Sequence, residues 1–262
     1  MKDTLFLETV DSTNPVAREL AGENKRHGFA VLAGSQTAGR GRLGKAWQSP
    51  SGKGLYCTIL VRPELAVEDY SKITLTAGLA VSQALEEICQ LQSQLKWPND
   101  IYISGRKCGG ILVETSSLQG TGEQNFVLVG IGVNINGERG TFPSELRETA
   151  TSVFIETGRE YDIGSIFAGI RGKLLQLLLQ LESEGFADIL SQWRERDMLQ
   201  GRWMKWVTPA GYVVYGESLG VDSNGILMVR DQGGMSHEVL SGDVTLAARL
   251  CEKTEKADNV IY

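Results

Sequence analysis

The sequence predicts an α+β fold: a mixed sheet with helices over residues 1–199, a small β-barrel over 200–249 and a polar tail at 250–262. Two observations carry this expectation. Strand and helix patterns intermingle without a strand–helix–strand rhythm, which disfavours a doubly wound sheet. From Gly201 the pattern changes to short strands punctuated by Pro209, Gly211, Gly216, Gly220, Asn224-Gly225 and Gly233-Gly234, as in a small barrel ending near Ala248.

The elements follow in order. Phe6 to Val10 reads as a short strand, and Asp11-Ser12-Thr13-Asn14-Pro15 as a helix start, with a polar cap and Pro in the first turn. Phe29 to Ala33 and Leu55 to Val61 are apolar strand candidates, the second stopped by Arg62-Pro63. Residues 71 to 90 repeat apolar side chains at helical spacing, from Ile73 to Ile88. Ile101-Tyr102-Ile103 and Lys107 to Glu114 form the arms of a hairpin with Ser104-Gly105-Arg106 as its turn. Phe126 to Ile135 is a buried strand whose Gly130 and Gly132 mark a close approach of other groups. A Leu-rich helix over 164–184 and a shorter one over 186–196 precede the barrel.

Composition sets the class. The chain of 262 residues is 42% hydrophobic and 22% charged, ordinary for a globular protein with a substantial core. Acidic residues interrupt the start of the chain, as in Asp3 and Glu8, so no signal peptide is read there. The stretch Leu174 to Leu181 is too short to span a bilayer, and a cytoplasmic location without membrane partners follows as the expectation. Cys57, Cys89, Cys108 and Cys251 lack metal-ligand spacing and read as free thiols. His27 and His237 lie near no nucleophile motif and read as surface residues.

A net charge of −6 argues against a nucleic-acid partner. Residues 24 to 63 nevertheless hold seven Lys or Arg and no Asp or Glu. A local cationic field on an acidic protein suits a small anion, although a solvated basic loop is the plainer reading.

At the centre of that segment stands Gly39-Arg40-Gly41-Arg42-Leu43-Gly44-Lys45. It spells the dinucleotide pattern G-x-G-x-x-G, with Glu64 downstream, and also the P-loop pattern G-x-x-x-x-G-K, with Ala46 where Ser or Thr belongs. Both motifs require a helix to begin at the glycines. The continuation Ala46-Trp47-Gln48-Ser49-Pro50-Ser51-Gly52 cannot supply one, so the segment is a glycine-rich loop presenting two arginines.

Three glycine-marked segments can converge: the loop 36–54, Lys96 to Gly110, and Gly130 to Asn136. The chain shows no carboxylate pair, activated nucleophile or metal-ligand cluster, which suits a reaction driven by positioning and by cations facing developing negative charge. Taken singly the residues are weak signals. Lys107 reads as a solvent-facing lysine at a strand edge, Asp100 as a turn residue, Ser12 and Thr13 as helix caps, and Trp47 and Trp97 as core aromatics.

Their order is more specific. Asp11-Ser12-Thr13-Asn14, Gln36-Thr37-Ala38-Gly39-Arg40-Gly41-Arg42-Leu43-Gly44-Lys45-Ala46-Trp47, and Lys96-Trp97-Pro98-Asn99-Asp100-Ile101-Tyr102 resemble motifs of the biotin protein ligases. Gly105-Arg106-Lys107-Cys108-Gly109-Gly110-Ile111, Gly130-Ile131-Gly132-Val133-Asn134-Ile135-Asn136 and Leu240-Ser241-Gly242-Asp243-Val244 follow in that family's order. The resemblance runs from about residue 5 to 249.

It implies a class II aminoacyl-tRNA-synthetase-like catalytic domain, as in biotin and lipoate ligases, and an SH3-like barrel. It also implies a two-step reaction. Biotin and ATP with magnesium give biotinyl-adenylate, and a lysine of a biotin carboxyl carrier domain then takes the biotinyl group. By motif, Ser12, Thr13, Asn14, Gln36, Arg40, Gly41, Arg42, Lys107 and Gly110 would hold biotin. Lys96, Asn99, Asp100, Trp47 and Asn134 would face the nucleotide, with Lys107 and Arg42 as the catalytic pair. No protein ligand for metal is assigned, since magnesium travels with ATP. In loop 136–152, apart from Phe142-Pro143, no side chain matches one that covers adenine. Part of the family carries an N-terminal DNA-binding domain, for which residues before Leu5 leave no room, so a dedicated ligase is expected. The oligomeric state stays open, a homodimer included. So do two rival readings, a lipoate or octanoate ligase and a non-catalytic biotin-binding module.

Overall fold

The computed structural model describes residues 3–116, 125–207, 213–239 and 243–246. Two compact units divide it: the chain up to Met198 together with Ser223–Gly225, and Leu199–Asp222 with the chain from Ile226 onward.

The first unit is built on a seven-stranded sheet. Its strands are β1 (Thr4–Val10), β2 (Ala30–Gln36), β3 (Gly54–Val61), β4 (Gln94–Lys96), β5 (Asp100–Ile103), β6 (Arg106–Ser116) and β7 (Phe126–Asn134), in spatial order β1-β2-β3-β7-β6-β5-β4. All residues of β3 are buried, which explains why Leu55 to Val61 shows no polar alternation: the strand sits inside the sheet with both faces covered. Pairing is antiparallel from β2 to β4, but β1 and β2 run parallel. One strand–helix–strand unit is therefore present where the sequence suggested none. A parallel neighbour requires a crossover, and helix α1 (Thr13–Gly22) supplies it.

Helix α1 lays Ala17 and Ala21, four residues apart, onto Val31, Leu60, Phe126 and Leu128. Truncating Leu60 to Ala within this cluster should cost about 2–5 kcal/mol. Helix α2 (Tyr70–Cys89) matches the apolar periodicity and ends at Gln90, whose φ of 53° breaks the helical path. The five-residue helix α3 (Val153–Thr157), which periodicity could not reveal, is capped by Ser152, whose hydroxyl accepts from Ile155 N. Helix α4 (Ile163–Ser183) is capped by Asp162 and buries Ile166, Ile170, Leu174, Leu177 and Leu181, one stripe at helical spacing. Helix α5 (Ala187–Arg194) completes the unit. No helix among the described residues is long and apolar enough to cross a membrane.

The hairpin between β5 and β6 is tighter than the sequence suggested. Ser104 and Gly105 both have positive φ, 50° and 74°, as a two-residue type I′ turn requires. Arg106 is not in the turn but begins β6, paired with Ile103.

In the second unit, β8 (Trp203–Val207), β9 (Val213–Val221), β10 (Leu227–Asp231), β11 (Ser236–Val239) and β12 (Asp243–Leu246) form an antiparallel sheet in the order β11-β10-β9-β8-β12. This is the small SH3-like barrel foreshadowed by the change of pattern at Gly201. Pro209, Gly211, Leu240-Ser241-Gly242, Cys251 and the tail 250–262 lie outside the described residues.

Candidate active site

Beyond β2 the chain forms a long two-armed loop. Gln36 bridges to Ser49 and Arg40 to Ala46, Trp47 N donates to Gly39 O at 2.9 Å, and Gly41 N donates to Lys45 O at 2.7 Å. A Cβ on Gly39 would stand 2.4 Å from the Trp47 carbonyl, so only glycine permits the two arms to approach this closely. The tip, Arg42–Gly44, is a single 3₁₀ turn with Leu43 at φ 55°, and no α-helix begins there. That geometry rules out both phosphate-binding motifs which the glycines spell.

The foot of the loop meets the start of α1. Thr13 N donates to Gln36 Oε1 at 2.9 Å, and Gln36 Nε2 donates to Ser49 Oγ at 2.8 Å. Ser12 occupies the N-cap position without a side-chain cap bond, so capping does not account for its hydroxyl. Asn14 is 3% exposed, and a Cβ on Gly130 would lie 2.6 Å from its Oδ1. The neighbouring Gly132 faces Trp47, with the same virtual atom 2.5 Å from the indole Nε1. Both glycines thus mark close approaches, one to each half of the site.

The cationic half lies on β5 and β6. The register shifts by one residue between Ile101 and Tyr102, so Asp100 pairs with Gly110 while Tyr102 pairs with Lys107. Such a bulge resets the alternation of side chains. Lys107 consequently shares a face with Gly110 and Asp100: its Nζ lies 2.5 Å from Asp100 Oδ1, and a Cβ on Gly110 would touch the lysine stem at 3.6 Å. Lys107 is not an edge residue. Its N–H donates to Thr149 O, and its carbonyl accepts from Thr151 N.

The loop reaches this corner twice. Arg42 Nη1 donates to Asn99 Oδ1 at 3.2 Å, and the Lys107 ammonium lies 5.7 Å over the Trp47 ring. Asn99 is itself held, since Nδ2 donates to Ile111 O and its carbonyl accepts from Ile111 N, both at 2.8 Å. Lys96 stacks over Tyr102 at 5.4 Å, beside the paired Asp100. Asn134 closes the far side, its Nδ2 donating to Thr151 O at 3.0 Å. Gly41 is half-buried within the loop, whereas Arg40 is exposed. Loop 36–54, segment 96–110 and strand end 130–136 thus come together.

Several residues escaped the sequence reading. Thr58 is fully buried inside β3 and binds both Thr13 and Asn14, and its only signal was a hydroxyl within an apolar run. Ser49 links the loop to Gln36. Glu156, on α3, accepts from Ser104 Oγ and Arg106 Nη2, each at 2.8 Å, and from the Thr151 hydroxyl, so it ties the hairpin tip to the segment paired with Lys107. Burial pushes its carboxyl up, but those donors outweigh burial and hold it below the ordinary 4.5.

Among the described residues, cysteine nucleophiles are disfavoured. Burial raises the Cys57 thiol to about 12 and Cys89 to about 11, and pushes Cys108 higher still. Among the described residues, no group of three or more His, Cys, Asp or Glu side chains is placed to hold a metal ion. His27 is exposed, and His237 pairs with Asp231 at 2.7 Å in the second unit.

What remains is a cluster with the polar groups of Thr13, Asn14 and Gln36 at one end and the Arg42 guanidinium and Lys107 ammonium at the other. Known proteins resemble the chain that carries it. The pattern of the Biotin/lipoate A/B protein ligase family matches residues 6–134. The chain is 33% identical over 242 residues to the bifunctional ligase/repressor BirA of Bacillus spizizenii, covering 92% of this chain and 73% of that relative. It is 34% identical over 233 residues to the biotin–[acetyl-CoA-carboxylase] ligase of Paracoccus denitrificans, covering 87% and 95% respectively. Among solved structures, the Aquifex aeolicus biotin protein ligase in complex with biotin and ATP superposes with a TM-score of 0.82 at 29% identity, covering 94% of this chain and all of that one. By sequence and by fold, the chain belongs to the biotin protein ligases of the Biotin/lipoate A/B protein ligase family.

Proposed function

We infer that this protein activates biotin with ATP and transfers the biotinyl group to a lysine of a biotin carboxyl carrier domain. The observation that carries the reading is the meeting of Lys107 with Asp100, Trp47 and the Arg42–Asn99 pair beside Gly110 and Gly132. Holding biotin alone would not call for two cations at its acid end.

In the first step an oxygen of the biotin carboxylate attacks the α-phosphorus of ATP. A new P–O bond forms, the bond to the β-phosphate oxygen breaks, and pyrophosphate leaves. Negative charge crowds at the carboxylate and the five-coordinate phosphorus, where preorganised cations are worth most. We assign Lys107 to bridge the carboxylate and α-phosphate, and Arg42 to face the same oxygens bidentately. Ser12, Thr13, Asn14 and Gln36 take the ring of biotin, and Gly110 leaves room for its tail. Lys96, Asn99, Asp100, Asn134 and Trp47 take the nucleotide, with Arg40 and Gly41 in the loop that covers the intermediate.

In the second step the acceptor ε-amine attacks the acyl carbon, the C–N bond forms, the C–O bond to AMP breaks, and the amine loses its proton to solvent. Magnesium is assigned to the triphosphate, whose oxygens suit it better than a protein cage. We place the chemistry in residues 1–199, separate from the barrel at 200–249, in a cytoplasmic protein whose partner is the carrier domain of a carboxylase.

Incubation with biotin, ATP and a carrier domain, read by intact mass, tests the whole reaction: the carrier should gain one biotinyl group. A carrier that gains lipoyl instead would make the protein a lipoate ligase. Biotin-induced thermal stabilisation without ATP–pyrophosphate exchange would make it a binding module.

A further inference from the structure

We propose that Thr58, one layer behind the ring-binding residues, sets the hydrogen-bonding polarity of that pocket and thereby its preference for a cyclic urea. The proposal rests on the biotin reading above and names a determinant of the same site.

A hydroxyl carries one proton and can donate only once. Thr58 Oγ1 donates to Asn14 Oδ1 at 2.5 Å, so it can only accept from Thr13 Oγ1, 2.7 Å away. The Thr13 proton therefore points backward into the sheet. Gln36 Oε1, at 3.4 Å from the same hydroxyl, is served instead by the Thr13 backbone N–H at 2.9 Å. What Thr13 Oγ1 keeps for a ligand is lone pairs, which makes it an acceptor.

Asn14 is wired the opposite way. Its Oδ1 is held by Thr58 and wedged against Gly130, leaving Nδ2 as the free end of the amide. Nδ2 is buried without a hydrogen-bond partner among the described residues. A buried donor left unpaired is costly, so the site is built to meet an acceptor there. Asn14 thus has a donor to offer and its neighbour Thr13 an acceptor, the complement of the C=O and N–H of a urea. An alkyl chain or a dithiolane ring offers neither.

Since Thr58 lies inside the sheet and is fully buried, its substitution acts on ligand choice through its two neighbours. The probes are biotin and 2-iminobiotin, which presents a protonated nitrogen where biotin presents the urea oxygen. The wild type should adenylate biotin in strong preference to 2-iminobiotin. Thr58→Val removes the hydroxyl at nearly constant volume and frees the Asn14 amide to turn over. It should raise KM for biotin about ten- to a hundredfold with little change in kcat, and narrow the preference for biotin. Thr58→Ser keeps the hydroxyl and should stay close to wild type in both respects.

An unchanged biotin preference in folded Thr58→Val would overturn the proposal, as would a loss in Thr58→Ser equal to that in Thr58→Val. If Thr58→Val does not fold, the wild type decides: its Asn14 side-chain amide NMR signals should shift on biotin binding, and signals that stay put would also overturn it. Absence of biotin-dependent pyrophosphate exchange in the wild type would instead sink the ligase reading itself.

Discussion

Lys107 and Asp100 meet across the irregular step of the β5–β6 ladder, Nζ to Oδ1 at 2.5 Å, with Gly110 beneath them. The two side chains are 34% and 19% exposed, so the pair is worth little to stability, about 0–1 kcal/mol. Its use is positional: it parks the ammonium beside Trp47 and the Arg42–Asn99 contact, at the place assigned to the reacting oxygens.

Lys107→Ala should accordingly leave the unfolding midpoint nearly unchanged while slowing adenylate formation about 10²–10³-fold, the loss typical of one preorganised transition-state contact. Single-turnover formation of biotinyl-adenylate measures it. Rates equal to wild type would remove Lys107 from the mechanism.

Arg42→Gly should damage the reaction differently. Arg42 fastens the loop tip to Asn99, and without that contact the tip loses a hold on the segment beside Asp100. The intermediate should then escape and acylate exposed amines at random. Mass mapping of a bystander protein incubated with enzyme, biotin and ATP should find biotinyl-lysines with the variant that the wild type does not produce.

Gly132→Ala places a methyl 2.5 Å from the Trp47 indole nitrogen, a contact that real side chains do not make. The indole is the movable partner, so the protein should fold and the ring should turn away from Lys107. We expect KM for ATP to rise, together with a change in tryptophan emission. Unchanged values of both would show that Trp47 does not serve the nucleotide.

Glu156 gives a pH test. Its carboxyl is held below the ordinary 4.5, as hydrogen bonds from Thr151, Ser104 and Arg106 outweigh the opposing effect of burial. A depressed folded value means stability that is present above the unfolded value and fades as the pH falls through the folded one. Glu156→Gln should cost about 1–3 kcal/mol at pH 7, and the gap to wild type should shrink at pH 3. Urea unfolding at the two pH values reads it, and a constant gap would contradict the assignment.

Much of this architecture was legible in the chain. The stripe from Ile166 to Leu181, the apolar run of β3 and the existence of a hairpin turn at Ser104-Gly105, though not its two-residue length, are local facts, set by side-chain periodicity and by φ preferences of single residues. The order of the glycine loop, the Lys96 and Lys107 segments and the Gly130 strand end marked which pieces belong to one site. Sequence alone could not determine which face each side chain takes. A single register shift in β5–β6 turns Lys107 toward Asp100, and the parallel pairing of β1 with β2 brings Thr13 to Gln36. The hydroxyl of Thr58 finds Asn14 across 44 residues, and Glu156 finds Arg106 across 50. Those contacts exist only where distant strands are brought to hydrogen-bonding distance, and at that range one residue of register reverses which atom meets which.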